Sequence, residues 1–373
     1  MRAKIDTPVY FQDERIPAGA TLVGWTALVQ ELSIEAPVRH LSCISQKHIM
    51  GSQRQEGSWR VFDKRYAPED SPVGHIVFAL KHENIDLLVL KRAFAKIPKE
   101  EIETFVAATP TGTISRRIWF FYEFLTGQTL ELEDASKVAA IDALDNKQYF
   151  TSKPILSKRH RVRDNLLGNG DFCPVIRRTE KLQSFVDMDL ASKAANTVGR
   201  TSAHLISRAA SFMLLADSRA SFAIEGERPP RSRLERWGKV VLQAGKKPLN
   251  QTEIYRLHGI LLGDDRFTQV GYREYGVFLG ERDHDQDPIP EFIGARQNDV
   301  PGLMTALNSC NNKMRSQSID PVIQASIIAF GFVYIHPLED GNGRLHRCLI
   351  HHVLAERKFS PPDMVFPVSN VML

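Results

Sequence analysis

Twelve consecutive residues, His336-Pro337-Leu338-Glu339-Asp340-Gly341-Asn342-Gly343-Arg344-Leu345-His346-Arg347, bring together an imidazole, acids, two glycines and two guanidinium groups. Gly341 and Gly343 bracket Asn342 directly before a segment with helical apolar spacing. Glycine lets the backbone curl tightly, so that successive N–H groups converge on one concavity at the positive end of a helix. Such a place binds phosphate. Arg344 and Arg347 are three apart and share a face of the first turn. Each opposes the helix dipole there by roughly 0.3–1 kcal/mol, so the pair makes sense where an anion is the usual occupant. Asp340 supplies a hard carboxylate suited to magnesium shared with phosphate oxygens. His336 comes off the end of the preceding segment; with an ordinary pKa of about 6.5 it is the candidate general base for an incoming hydroxyl.

A second cluster lies upstream, in Ser221-Phe222-Ala223-Ile224-Glu225-Gly226. Ser221 and Glu225 are four apart on an expected helix and share a face. Glu225 in the last turn opposes the dipole and would be relieved by a cation. Arg347 has the mirror-image problem at a helix start. Each is badly placed alone and well placed beside the other, and Gly226 is a natural helix stop.

The run from His336 to Arg347 resembles the Fic signature, H-P-F-x-D-G-N-G-R-x-x-R, at every position except Leu338, where phenylalanine is usual. Leu338 is expected to fill the same apolar socket. The resemblance reaches from about Thr179 to the end and says little about the first half. It implies a mainly α protein: a Fic-type helical bundle with a β-hairpin flap, preceded by a smaller mixed or helical N-terminal domain. Carried onto this sequence, it makes His336 the base and Asp340 the Mg²⁺ ligand. The Gly341-Asn342-Gly343 backbone and Arg344 hold the α- and β-phosphates of ATP, and Arg347 meets the γ-phosphate. The implied activity is protein AMP transfer to a Ser, Thr or Tyr hydroxyl of a target protein or of the chain itself. Ser221, Glu225 and Gly226 resemble the family's inhibitory S/T-x-x-x-E-G motif, in which the glutamate denies the second arginine to the γ-phosphate. Two alternatives stand beside this reading. One is a Fic-fold enzyme that removes AMP or transfers another nucleotidyl or phosphoryl group. The other is a non-catalytic regulatory protein with a vestigial loop.

The elements that must position these residues are legible in part. Apolar residues at three- and four-residue steps predict helices over 73–96, 99–108 and 114–125, the last closed by Gly127. A helix is expected near 22–32 and a strand over Trp59–Phe62. Residues 145–178 lose periodicity, carry the basic run Lys158 to Arg163 and read as a connection between a domain of 1–178 and a Fic domain of 179–373. In the latter, an inhibitory helix over about 201–226 shows an apolar stripe of Leu205, Ile206, Phe212, Met213, Ala216, Ala220 and Ile224. A second helix follows over 250–262. Extended pieces around the polar turn Glu281 to Pro288 predict a hairpin over about 275–294. That hairpin corresponds in order to the family's flap, which aligns a target segment by strand addition. Gly271-Tyr272-Arg273 before it resembles a recurring family feature. Asp320 is an N-cap with Pro321 at the first helical position. The helix it opens presents Ile323, Ile327, Phe330 and Tyr334 and ends at His336-Pro337. The last long helix begins about Gly343 and buries Leu345, Leu349 and Val353.

Bulk properties exclude other classes. With 373 residues, 43% hydrophobic and 25% charged, the chain has ample material for two cores. A formal net charge of +4 is too small to argue for nucleic acid but suits a handler of polyanions. Cys43, Cys173, Cys310 and Cys348 are far apart, as befits reduced thiols in a cytoplasm. His346, His351 and His352 lack acidic or cysteine partners at zinc-ligand spacing. The basic run at 158–163 reads as a solvated surface. Residues Met1 to Phe11 lack the apolar run of a secretory signal, and no stretch is apolar enough to span a bilayer. Phe366-Pro367-Val368-Ser369 reads as leading into a further helix, so a C-terminal continuation is expected. Homo-oligomerisation is left open.

Overall fold

The computed structural model describes residues 9–135, 138–263, 269–317, 319–360 and 364–373; the reading of the first eight residues as lacking a signal lies outside them. The chain forms two compact units, 1–145 with 154–165, and 146–153 with 166–373. It is mainly helical.

The first unit opens with a hairpin, β1 (Tyr10–Phe11) and β2 (Glu14–Arg15), whose turn residues Gln12 and Asp13 take positive φ. Strands β3 (Ala20–Leu22), β4 (Leu41–Ser45), β5 (Gln53–Glu56) and β6 (Trp59–Phe62) form a sheet in the order β3-β4-β6-β5, with helix α1 (Gly24–Glu31) after β3. Four helices follow: α2 (Pro72–His82), α3 (Leu87–Phe94), α4 (Lys99–Ala108) and α5 (Thr113–Thr126), the last closed by Gly127 in the left-handed region. The single helix expected over 73–96 is therefore two. Glu83 turns away to accept the Trp25 amide at 2.9 Å, and Asp86 caps the new start by accepting from Leu88 and Val89. Burial drives the Glu83 carboxyl up to about 7.

Strands β7 (Ile141–Asp142), β9 (Ile155–Ser157) and β10 (Val162–Asp164) complete this unit, while β8 (Tyr149–Phe150) belongs to the other. The basic run at 158–163 is not a solvated face. Arg159 donates to the Leu130 and Leu132 carbonyls and to Glu123. His160 is buried, its Nε2 2.9 Å from Glu123 and its ring edge-on to Trp119. Arg161 donates to the Val138 carbonyl and Arg163 to Asp142.

In the second unit β8 pairs with β11 (Ile176–Arg177). The stretch read as a connection is partly built into this unit: Phe150 and Leu167 are buried in its core, and Phe172 packs where a side chain at Gly331 would stand. Helices α6 (Glu180–Asp187), α7 (Leu190–Gly199), α8 (Ala203–Ile224), α9 (Arg231–Val241) and α10 (Gln251–Leu262) follow. The hairpin β12 (Phe278–Arg282) with β13 (Pro288–Ile293) comes next, then α11 (Val300–Arg315), α12 (Pro321–Ile335), α13 (Asn342–Glu356) and α14 (Val368–Met372). The expected α8 stripe is buried only in part: Ala220 is buried and Ile206, Met213 and Ala216 are half-buried, but Leu205, Phe212 and Ile224 are exposed, whereas Asp217, Ser218, Ser221 and Phe222 outside the stripe are buried. On α12, Ile323 and Ile327 are buried as expected, but Phe330 and Tyr334 are exposed. Leu345, Leu349 and Val353 of α13 are fully buried. Among the described residues no helix is long and apolar enough to cross a membrane, and the four cysteines are free thiols.

Candidate active site

Asp320 caps α12 as its position predicts, accepting from the Val322 and Ile323 amides. The helix ends at His336, which adopts φ 55° and ψ 59°. A non-glycine residue in the left-handed region costs about 1–2 kcal/mol, so its surroundings must hold it there. Arg273 does so. Its buried guanidinium donates to the carbonyls of His336 at 2.7 Å, of Tyr275 at 2.6 Å and of Ala295, and its own amide donates to Pro337 at 2.9 Å. Sequence alone offered only the faint Gly-Tyr-Arg resemblance as a signal for this residue.

The His336 ring places Nδ1 3.2 Å from the Val333 carbonyl. A carbonyl only accepts, so Nδ1 carries the proton and Nε2 presents a lone pair. Burial holds the His336 imidazole below its ordinary 6.5, the Val333 carbonyl opposing and Arg273 reinforcing that shift. The flap base adjoins it: a side chain at Gly294 would stand 3.2 Å from the His336 Cβ, and the Phe292 ring lies 6.4 Å from the imidazole.

After His336 the loop is braced by Asn342, whose amide exchanges hydrogen bonds with Leu338 at 2.9 and 3.0 Å. Leu338 is fully buried, in the apolar socket expected of it. Gly341 has φ 83°, and a Cβ there would come within 2.5 Å of Leu261, so the turn requires glycine for both reasons. Asp340 accepts the Gly341 amide at 2.6 Å and Arg344 at 2.9 Å.

The two motif arginines start from one turn, and each is met by an acid from the end of α8. Arg347 donates to the Ser221 hydroxyl at 3.0 Å, the Ser221 carbonyl at 2.7 Å and Glu225 at 2.8 Å. Arg344 pairs with Asp340 and, at 2.6 Å, with Glu227, and its guanidinium lies over the Phe222 ring. Gly226 at φ 72° closes α8, with Glu227 N–H bonding back to the Phe222 carbonyl, the left-handed helix stop that glycine favours. The Glu225 carboxylate reaches the glycine turn itself, since a Cβ on Gly343 would lie 2.2 Å from its Oε1. Ser221, Glu225, Gly226, His336, Asp340, Gly341, Asn342, Gly343, Arg344 and Arg347 are thus brought to one place. Glu227 was missed, because nothing in its spacing separates it from an ordinary solvated acid.

The molecule is thus defined as a helical protein with a histidine-bearing loop set at a helix start and an acidic helix end laid over it. Residues 248–354 match the Fic/DOC family, and this segment is a Fic domain. The protein adenylyltransferase Fic of Nematostella vectensis is 29% identical over 161 residues, which cover 40% of this chain and 35% of that protein. The protein adenylyltransferase fic-1 of Caenorhabditis elegans is 27% identical over 120 residues, covering 32% of this chain and 21% of that one. Solved structures that resemble it include a Fic domain containing signaling protein from Bacteroides thetaiotaomicron, with a TM-score of 0.38 and 20% identity over 50% of this chain and 77% of that one. Fic-1 from C. elegans has a TM-score of 0.35 and 14% identity over 82% of this chain and 85% of that one.

Proposed function

We propose that this chain is a protein adenylyltransferase that transfers AMP from ATP to a protein hydroxyl and is held back by Glu225. The observation that carries the reading is the meeting of three features at one turn. These are a glycine-rich helix start, a neutral imidazole with a free Nε2, and two arginines already engaged by carboxylates. Carboxylate oxygens stand where phosphate oxygens would, so Glu225 marks the anion site by occupying it.

On this reading Gly341, Asn342 and Gly343 offer backbone amides to the α- and β-phosphates, Arg344 neutralises them and Arg347 takes the γ-phosphate once Glu225 withdraws. Asp340 is half-exposed at the mouth of the turn and presents hard oxygen donors, which fits a hydrated Mg²⁺. Mg²⁺ when bound would neutralise phosphate charge. His336 Nε2 accepts the proton as the acceptor oxygen bonds to the α-phosphorus. The bond from that phosphorus to the bridging oxygen breaks, and pyrophosphate leaves. Positioning and charge neutralisation supply most of the rate. The hairpin flap offers a strand edge to an extended target segment carrying Ser, Thr or Tyr. We place the reaction in the cytoplasm, where ATP and free thiols coexist.

The test is intact mass after incubation with ATP and Mg²⁺, on wild type and on Glu225→Gly. The variant should gain one AMP per modified site, faster than wild type, with label retained from α-labelled but not γ-labelled ATP. His336→Ala should lose transfer by about 10²–10⁴-fold, the usual worth of a general base, while keeping ATP binding. Label arriving from γ-labelled ATP would reject AMP transfer in favour of phosphoryl transfer.

A further inference from the structure

Along the contact between α8 and α13, side chains step by four on both helices. Glu225 lies at Gly343, Ser221 at Arg347, and Asp217 at His351, whose Nε2 is 3.2 Å from the Asp217 carboxylate. This third rung is buried on both sides. Asp217 also accepts the amides of Ser369 at 2.6 Å and Asn370 at 3.1 Å, and lies 3.2 Å from the Ser369 hydroxyl. One carboxylate of α8 is therefore held by two other elements, α13 and the start of α14. From these contacts we infer that Asp217 is a positioning residue for the inhibitory contact, fixing the rotation and axial register of α8 so that Ser221 and Glu225 fall on Arg347. The inference rests on the proposed inhibition and extends it by one helical turn.

Two features of α8 make the rung decisive. Its N-terminal half is not held by burial: Leu205 and Phe212 are exposed, and the buried residues described on this helix lie between Asp217 and Phe222. Phe222, about 100° of helix rotation from Ser221, anchors the flank of this face in the core, and the polar rung adds a second anchor one turn further along. Asp217 lies about 40° of rotation from Ser221 and about 80° from Glu225, so the three line one side of α8. A change of rotation would carry Glu225 off the glycine turn.

Asp217→Ala and the isosteric Asp217→Asn, each made in wild type and in Glu225→Gly, test the assignment. Two readouts are used: the rate of AMP incorporation, and the Kd of a fluorescent ATP analogue with Mg²⁺. In wild type, Asp217→Ala should tighten nucleotide binding and raise transfer by about fivefold, the lower end of typical coupling between sites. Asp217→Asn keeps an acceptor for the α14 amides and should fall between the two. In the Glu225→Gly background neither change should alter rate or Kd, because the carboxylate whose place Asp217 fixes is gone. Equal behaviour of Asp217→Ala and wild type overturns the inference. So does a loss in both backgrounds, which is what a purely structural role gives. If Glu225→Gly incorporates no AMP the proposed activity fails, while the Kd comparison still decides the role of Asp217.

Discussion

Two regions of this molecule hold an arginine between main-chain carbonyls and a carboxylate, and they differ in how that carboxylate is kept. In the first unit, Arg159 is held by the Leu130 and Leu132 carbonyls, by Asp134 and by Glu123, and Glu123 is itself enclosed, accepting from Trp119 at 2.7 Å and from the Leu130 amide. In the second unit, Arg347 is only 6% exposed, but Glu225 opposite it is 35% exposed and stands at the loose end of a helix. An enclosed carboxylate held by an indole N–H and a main-chain amide cannot leave without disrupting its surroundings. A rim carboxylate on a helix end can. The first arrangement stitches; the second holds an arginine in readiness.

The comparison breaks most readily at Glu123. Glu123→Ala leaves the buried Trp119 indole and His160 without their shared carboxylate and should cost about 2 kcal/mol of stability, as for loss of a buried hydrogen-bond acceptor, measured by denaturant unfolding. A change near zero would erase the distinction. Glu225→Gly removes a partner of similar charge but should alter stability by less than about 1 kcal/mol, because the carboxylate is partly solvated. Its effect should appear instead as faster transfer. A large loss of stability there would make the α8 contact a stitch too. The smallest effect expected is a shift in pH dependence. His336 must be neutral to accept a proton, and burial disfavours its charged form, so activity of Glu225→Gly should persist below pH 6.5 before its acid limb falls. A midpoint above 6.5 would place another group in the role of base.

What could be read from sequence was local chemistry. Asp320-Pro321 opened a helix and Glu225-Gly226 closed one, because caps depend on two or three adjacent residues. Leu338 was predictable as buried because a socket asks for apolar bulk and little else. Partners supplied by distant segments were not visible. Glu83 leaves its helix for Trp25, and Arg159 finds carbonyls in the segment that follows α5, so neither periodicity nor a charge run foretold them. Phe330 and Tyr334 fit the helical spacing of a buried stripe yet face outward, stacked on each other with ring centroids 5.7 Å apart. Spacing locates a face without saying what covers it. At the site, residue types and their gathering were legible, whereas Arg273 and Glu227 act through contacts that only the folded chain brings about.

The missing methyl of Gly343 carries a consequence for how such a protein could drift. On the proposed reading, adding a carbon there would evict the glutamate but also crowd the hollow assigned to the nucleotide, so release from that side is self-defeating. Variants that run unchecked should arise by shortening or displacing the helix end opposite, leaving the loop untouched.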